Sequence, residues 1–270
     1  MNNLAKSTNL FLKESMDFFK LHDEEREIIL EGTSYLDLLI NKLFVCRFLY
    51  DCIDKGIALH REILNGNISE LAKKIEFEDV DRIKINFKGI VENKDLISIL
   101  AYEFFINYLD SISREILCKN VYLLKNIKNA NYKPFELIDR ITTDPHIIIE
   151  EMINILISDS REGGSLKTRS EFWIKFLEKS LKFRLKEIDK AFLESFSIRR
   201  NASSHRNAKI QWKAIQTDLS NVEFSFWLYS LIFLAYRIDN GLINLYTLDC
   251  KRINYNFSGK PIYGLNTLKI

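Results

Sequence analysis

Val222–Leu248 reads VEFSFWLYSLIFLAYRIDNGLINLYTL, and Phe224, Leu228, Leu231, Ala235, Ile238, Leu242 and Leu245 recur in it at alternating steps of 4 and 3. Such steps bring side chains onto one face of an α-helix, so the stretch predicts a helix with an apolar seam. That seam suits packing in an antiparallel bundle and packing between two copies of the chain equally well. Upstream, Glu171 to Arg199 places Trp173, Leu177, Leu181, Leu185, Ile188 and Phe192 at steps of 4, 4, 4, 3 and 4, an amphipathic helix with its lysines on the far face. Asp95 to Asn126 is apolar over a wide arc, from Ile99, Tyr102 and Phe105 to Ile116 and Leu123, which predicts a central helix.

Further helices are expected from Glu27 to Leu64, with Gly32 a candidate break and Asn65-Gly66-Asn67 a stop, and from His146 to Ile157. Between Ile68 and Val91 the pattern is ambiguous: Ile68 to Ile75 fits helical turns, whereas Ile83, Ile85 and Phe87 alternate as in a short strand. Ser158 to Thr168, SDSREGGSLKT, reads as a flexible loop, and the tail from Lys251 as an extended segment laid over the bundle.

The composition agrees with a helical chain. Nine Gly and three Pro in 270 residues leave few sharp turns, which argues against a turn-rich β-sandwich. Hydrophobic residues at 47% and aromatics at 12% supply a sizeable core and exclude a disordered chain. The fold class expected is therefore all-α. The net charge is only +2, but residues 161–213 hold 14 Lys and Arg against 6 Asp and Glu, leaving 25 against 31 elsewhere. A local excess of this kind attracts phosphate-bearing partners without specifying them.

Cys46, Cys52, Cys118 and Cys250 stand apart, with no Cys-x-x-Cys pair and no histidine at zinc-ligand spacing, so neither a zinc site nor a disulfide framework is expected. Charges interrupt each apolar run near the N-terminus, and no apolar stretch approaches the ~18 residues of a membrane span. A cytoplasmic protein with no membrane association is the expectation. Phosphate loop, Walker lysine, His-Glu-x-x-His and Gly-x-Ser-x-Gly elbow are all missing from the sequence, which removes nucleotide hydrolysis, zinc peptidase and serine hydrolase chemistry.

Four histidines remain as proton-transfer groups near neutral pH: His22, His60, His146 and His205. The first three have ordinary helix-start or helix-end settings. His205 lies in Ile198-Arg199-Arg200-Asn201-Ala202-Ser203-Ser204-His205-Arg206-Asn207, inside the basic region. Cleaving RNA with its own 2′-hydroxyl needs a base for that proton, an acid for the departing 5′-oxygen, and a cation for charge developing on the phosphate oxygens. Arg200 suits the last role through its planar fork, and His205 suits one proton transfer. A two-fold homodimer brings a second His205 and so supplies both acid and base. On a straight helix Arg200 and His205 would be about 140° apart, so the helix must break between them or convergence must cross two chains.

At these residues the chain resembles the HEPN superfamily, helical-bundle proteins whose ribonuclease members carry Arg-x(4–6)-His, often with a polar residue after the Arg. Here the motif reads Arg200-Asn201-Ala202-Ser203-Ser204-His205, and Arg-Asn with a His five beyond the Arg arises by chance only about 0.02 times in such a sequence. Arg140 to His146 fits the looser spacing, but Ile141 and Pro145 set it aside. The resemblance implies a HEPN-like domain over residues 95–250, a mainly helical N-terminal extension over 1–94 and a C-terminal tail over 251–270. It also implies a metal-independent endoribonuclease without cofactor, acting on RNA as a homodimer with a composite active site and leaving 2′,3′-cyclic phosphate ends. Arg200 and His205 take the catalytic roles and Asn201 a supporting one, while Arg199 and Arg206 add RNA-phosphate contacts by charge and position. Bacterial toxin or antiphage effector is the implied setting, with an antitoxin or sensor protein as partner. A catalytically silent module that binds RNA, a nucleotide or a protein is the alternative.

Overall fold

The computed structural model describes residues 3–23, 27–64, 80–126, 150–151, 154, 166–202 and 224–256. Among them are six α-helices: α1 Asn3–Asp23, α2 Ser34–Leu64, α3 Val80–Lys119, α4 Leu166–Lys175, α5 Glu187–Ala202 and α6 Phe224–Tyr246. Two short strands, β1 Glu27–Gly32 and β2 Lys251–Asn256, pair antiparallel from Glu27 opposite Asn256 to Gly32 opposite Lys251. The architecture is all-α with this one two-stranded ribbon among the described residues.

Helix α6 forms the axis of the core. Its seam residues Phe224, Leu228, Leu231, Ala235, Ile238 and Leu242 are buried, and so are Phe226, Trp227, Tyr229, Ile232, Phe233 and Leu234 on its other sides. A helix apolar all round must be surrounded, and α1, α2, α3 and β1 all pack against this one. Each large side chain buried there contributes about 1.5–3 kcal/mol. The seam is filled within a single chain, and only Leu245 at its end stands exposed, at 52%. Helix α3 buries Tyr102, Phe105, Ile106, Leu109, Ile112 and Ile116, as its wide apolar arc requires, and gives way after Asn120 to a 3-10 turn, Val121–Asn126.

The expected helix from Glu27 to Leu64 is instead a strand followed by a helix. Residues 27–32 satisfy their backbone against β2, a partner that local periodicity cannot reveal. Gly32 is the break because the chain there runs hard against its neighbours: a Cβ would meet Leu36 Cδ2 at 2.6 Å and Asp239 Oδ2 at 3.1 Å. Thr33 then caps α2, its Oγ1 accepting from the Leu36 N–H at 3.3 Å. The buried Asp239 of α6 accepts from the Thr33 N–H and hydroxyl, each at 2.7 Å, and from the Tyr108 hydroxyl of α3 at 3.0 Å. Burial pushes the Asp239 carboxyl above the usual range despite these three bonds, and burial beside Asp239 pushes the Tyr108 phenol well above its own.

The expected single helix from Glu171 to Arg199 is two helices. A repeated step of four drifts about 40° per step on an α-helix, so the seam cannot stay on one side without a wider turn. That turn is Phe176–Ser180, a π-turn closed by the Leu181 N–H on the Phe176 carbonyl at 3.1 Å. Lys182 follows in the left-handed region at φ 56°, and the Phe183 N–H returns to the Leu177 carbonyl at 2.8 Å. Phe183 packs where α6 has only Gly241, whose Cβ would lie 2.0 Å from the ring. Trp173, Leu177, Leu181, Leu185 and Phe192 are buried and Ile188 half-buried against them, so the periodicity identified core residues on the wrong backbone.

Other expectations are settled in part. Ile83, Ile85 and Phe87 lie within helix α3, and Leu166 to Thr168, placed in a loop by sequence, open α4. Of the helix expected from His146 to Ile157, residues 150, 151 and 154 are described and are helical. The Ile68–Ile75 turns, most of the Ser158–Thr168 loop and the tail beyond Asn256 lie outside the described residues. The boundary expected at residue 94 falls inside α3, and α1 packs on α5 and α6 while α2 packs on α3 and α6. Buried apolar residues from Ala5 to Ile253 form one continuous core. No helix among the described residues is long and apolar enough to cross a membrane.

Candidate functional site

Helix α5 carries the Arg-Asn pair on its last turn, and its fixation begins at the other end. Asp189 reaches back to the Lys186 N–H at 3.0 Å, and acidic Glu187 and Asp189 in the first turn with Arg199 and Arg200 in the last complement the helix dipole. Asp189 is buried and meets Arg237 Nη1 of α6 at 3.0 Å, which also meets Glu14 of α1 at 3.0 Å. Burial raises the Asp189 carboxyl above its usual value, and the Arg237 charge partly offsets this. Along the helix, Ser195 Oγ lies 2.8 Å from Thr8 Oγ1, Phe192 stacks between Phe11 and Trp227, and Phe196 stacks on Tyr102. Contacts with α1, α3 and α6 thus set where the last turn points.

Successive residues on a helix diverge by about 100°, and Arg199 and Arg200 accordingly face different neighbours. The Arg199 guanidinium lies over α6, 5.0 Å from the Phe224 ring and 5.1 Å from that of Trp227. The Arg200 guanidinium lies toward α3, 5.9 Å from the Tyr102 ring. Its Nη2 donates to Glu103 Oε1 at 2.9 Å and its Nη1 to Asn201 Oδ1 at 3.3 Å, while the buried Nε has no acceptor among the described residues. The two partners differ in exposure, at 13% for the Arg200 side chain and 37% for Glu103.

Glu103 was missed by sequence reasoning, Tyr102 was read only as part of the apolar arc, and Arg47 of α2, whose guanidinium lies 5.0 Å from the Tyr229 ring, was missed as well. One helical turn on from Arg47, Tyr50 packs at a tilt against Phe224, ring centroids 4.6 Å apart, the same ring that carries Arg199. Arg47, Arg199 and Arg200 therefore all rest on aromatic faces, contacts that range from about 0.5 kcal/mol at exposed sites to about 2 kcal/mol when desolvated. The local excess of basic residues pointed to Arg199 and Arg200; no spacing rule links Arg47 or Glu103 to them.

The structure thus joins Arg200 to Asn201 and turns Arg199 away toward α6, whereas His205 and Arg206 lie outside the described residues. A guanidinium fork can bind an oxyanion through two donors at once; in Arg200 both terminal nitrogens already have acceptors and Nε is buried. Among the described residues no group of three or more His, Cys, Asp or Glu is placed to hold a metal ion. No protein-family model, no curated protein and no solved structure matches this chain.

Proposed function

We propose that the protein is a metal-independent endoribonuclease of the HEPN type. The observation that carries this reading is the seating of Arg200: a guanidinium on the last turn of a bundle helix, held by Glu103 and Asn201. His205, five residues beyond Arg200, takes or returns a proton, and Arg200 stabilises the charge that develops on the phosphate oxygens. The 2′-hydroxyl attacks the adjacent phosphorus, the 5′-oxygen leaves with a proton, and a 2′,3′-cyclic phosphate remains. A homodimer completes the site, with His205 of the partner subunit supplying the second proton transfer. Arg199 and Arg206 contact RNA phosphates, and toxin or antiphage action in the cytoplasm, restrained by an antitoxin or sensor protein, is the setting this chemistry serves.

One observation favours the silent alternative, a module that binds RNA, a nucleotide or a protein without cutting: Arg200 is already ion-paired and only 13% exposed. Incubating wild type, Arg200→Ala and His205→Ala with total RNA and tRNA in EDTA separates the two. Discrete cleavage by wild type alone, with cyclic-phosphate ends, is the expected outcome. Equal cleavage by all three removes the motif assignment, and no cleavage by three folded proteins favours the silent module.

A further inference from the structure

The geometry points to Glu103 as an exchangeable counter-ion, a carboxylate that holds Arg200 until a phosphate group of RNA displaces it. This rests on the reading of Arg200 as a phosphate ligand. Two features mark the pair as a resting state. First, Glu103 leaves the Arg200 fork incompletely used: Nη2 is paired, Nη1 makes a long bond to its neighbour Asn201, and the buried Nε has no acceptor among the described residues. A buried donor without a partner costs free energy, whereas a phosphate presents several oxygens and can engage two guanidinium nitrogens at once. Second, exposure is unequal. Arg200 is packed at 13% against the Tyr102 ring, while Glu103, at 37%, is the partner with access to water. When the pair opens, the carboxylate regains hydration and the guanidinium stays in place.

The exchange has a measurable signature. RNA that must displace Glu103 releases one fewer bound cation than RNA meeting an uncompensated Arg200, because the carboxylate has already neutralised that charge. Glu103→Gln keeps the shape and a hydrogen-bond acceptor while removing the charge.

The probe is a single-stranded 2′-O-methyl RNA oligonucleotide, which lacks the attacking hydroxyl, titrated over a range of salt concentrations. Glu103→Gln is expected to bind about fivefold more tightly at low salt, the worth of one partly exposed ion pair. Its log-affinity against log-salt slope should steepen by about 0.7, and both effects should vanish in Glu103→Gln combined with Arg200→Ala. Glu103→Ala provides a second variant if the first does not fold. Equal or weaker binding with an unchanged slope overturns the inference. Arg200-dependent cleavage by wild type with no effect of Glu103→Gln leaves the ribonuclease standing and removes the counter-ion. Tighter Arg200-dependent binding with no cleavage by any variant does the reverse.

Discussion

Asp239 shows how one side chain joins three elements. Its carboxylate accepts from both donors of Thr33, where β1 passes into α2, and from Tyr108 of α3, all beneath the surface of α6. Asp239→Asn puts an amide N–H₂ against these donors, and the loss expected is about 1–3 kcal/mol, read from urea unfolding. The folded carboxyl binds its proton more tightly than the ordinary aspartate, whose value is 3.8, because burial outweighs the three hydrogen bonds. Its contribution is therefore complete below that value and declines as pH rises through the folded one. The advantage of wild type over Asp239→Asn should shrink in that direction; an advantage that grows with pH would show that the hydrogen bonds win. Arg200 belongs to the same scale, since its pairing with Glu103 ties the last turn of α5 to α3.

At the scale of elements, the join between α4 and α5 holds a lysine where a glycine would be easier. Lys182 is exposed and sits at φ 56°, a conformation that costs a residue with a Cβ about 1 kcal/mol. Lys182→Gly is expected to raise stability by somewhat less, about 0.5 kcal/mol after the glycine's extra unfolded-state freedom, measurable as a higher urea midpoint. A lower midpoint would place the lysine's value in its side chain. This join also shows what sequence periodicity can reveal. The steps from Trp173 to Phe192 identify buried residues, because burial follows from apolar character, but they do not count backbone hydrogen bonds, so the π-turn is invisible. Glu27 to Gly32 read as helix for a related reason: its apolar spacing is local and its partner strand is not. Of the candidate site, the adjacency of Arg200 and Asn201 in a basic run was legible, whereas Glu103 reaches Arg200 across 97 positions and leaves no spacing to detect.

For the whole molecule, the N-terminal helices complete the core. Phe11 of α1 stacks on Phe192 of α5 at 4.4 Å, and Arg237 of α6 ties Asp189 to Glu14. A chain lacking residues 1–94 is expected to lose cooperative unfolding and to bind an apolar dye, seen by circular dichroism and fluorescence. A sharp, reversible transition in that shortened chain would make the N-terminal part a separable extension. The ribbon adds a consequence in time. Gly32 pairs with Lys251, more than two hundred residues later. At synthesis rates of about 5–20 residues per second, β1 waits roughly 10–40 s on the ribosome for its partner strand. The apolar face of α1 waits similarly, for α5 and α6. Through that interval the first-made third of the chain keeps its apolar faces uncovered, the kind of exposed surface on which nascent chains aggregate.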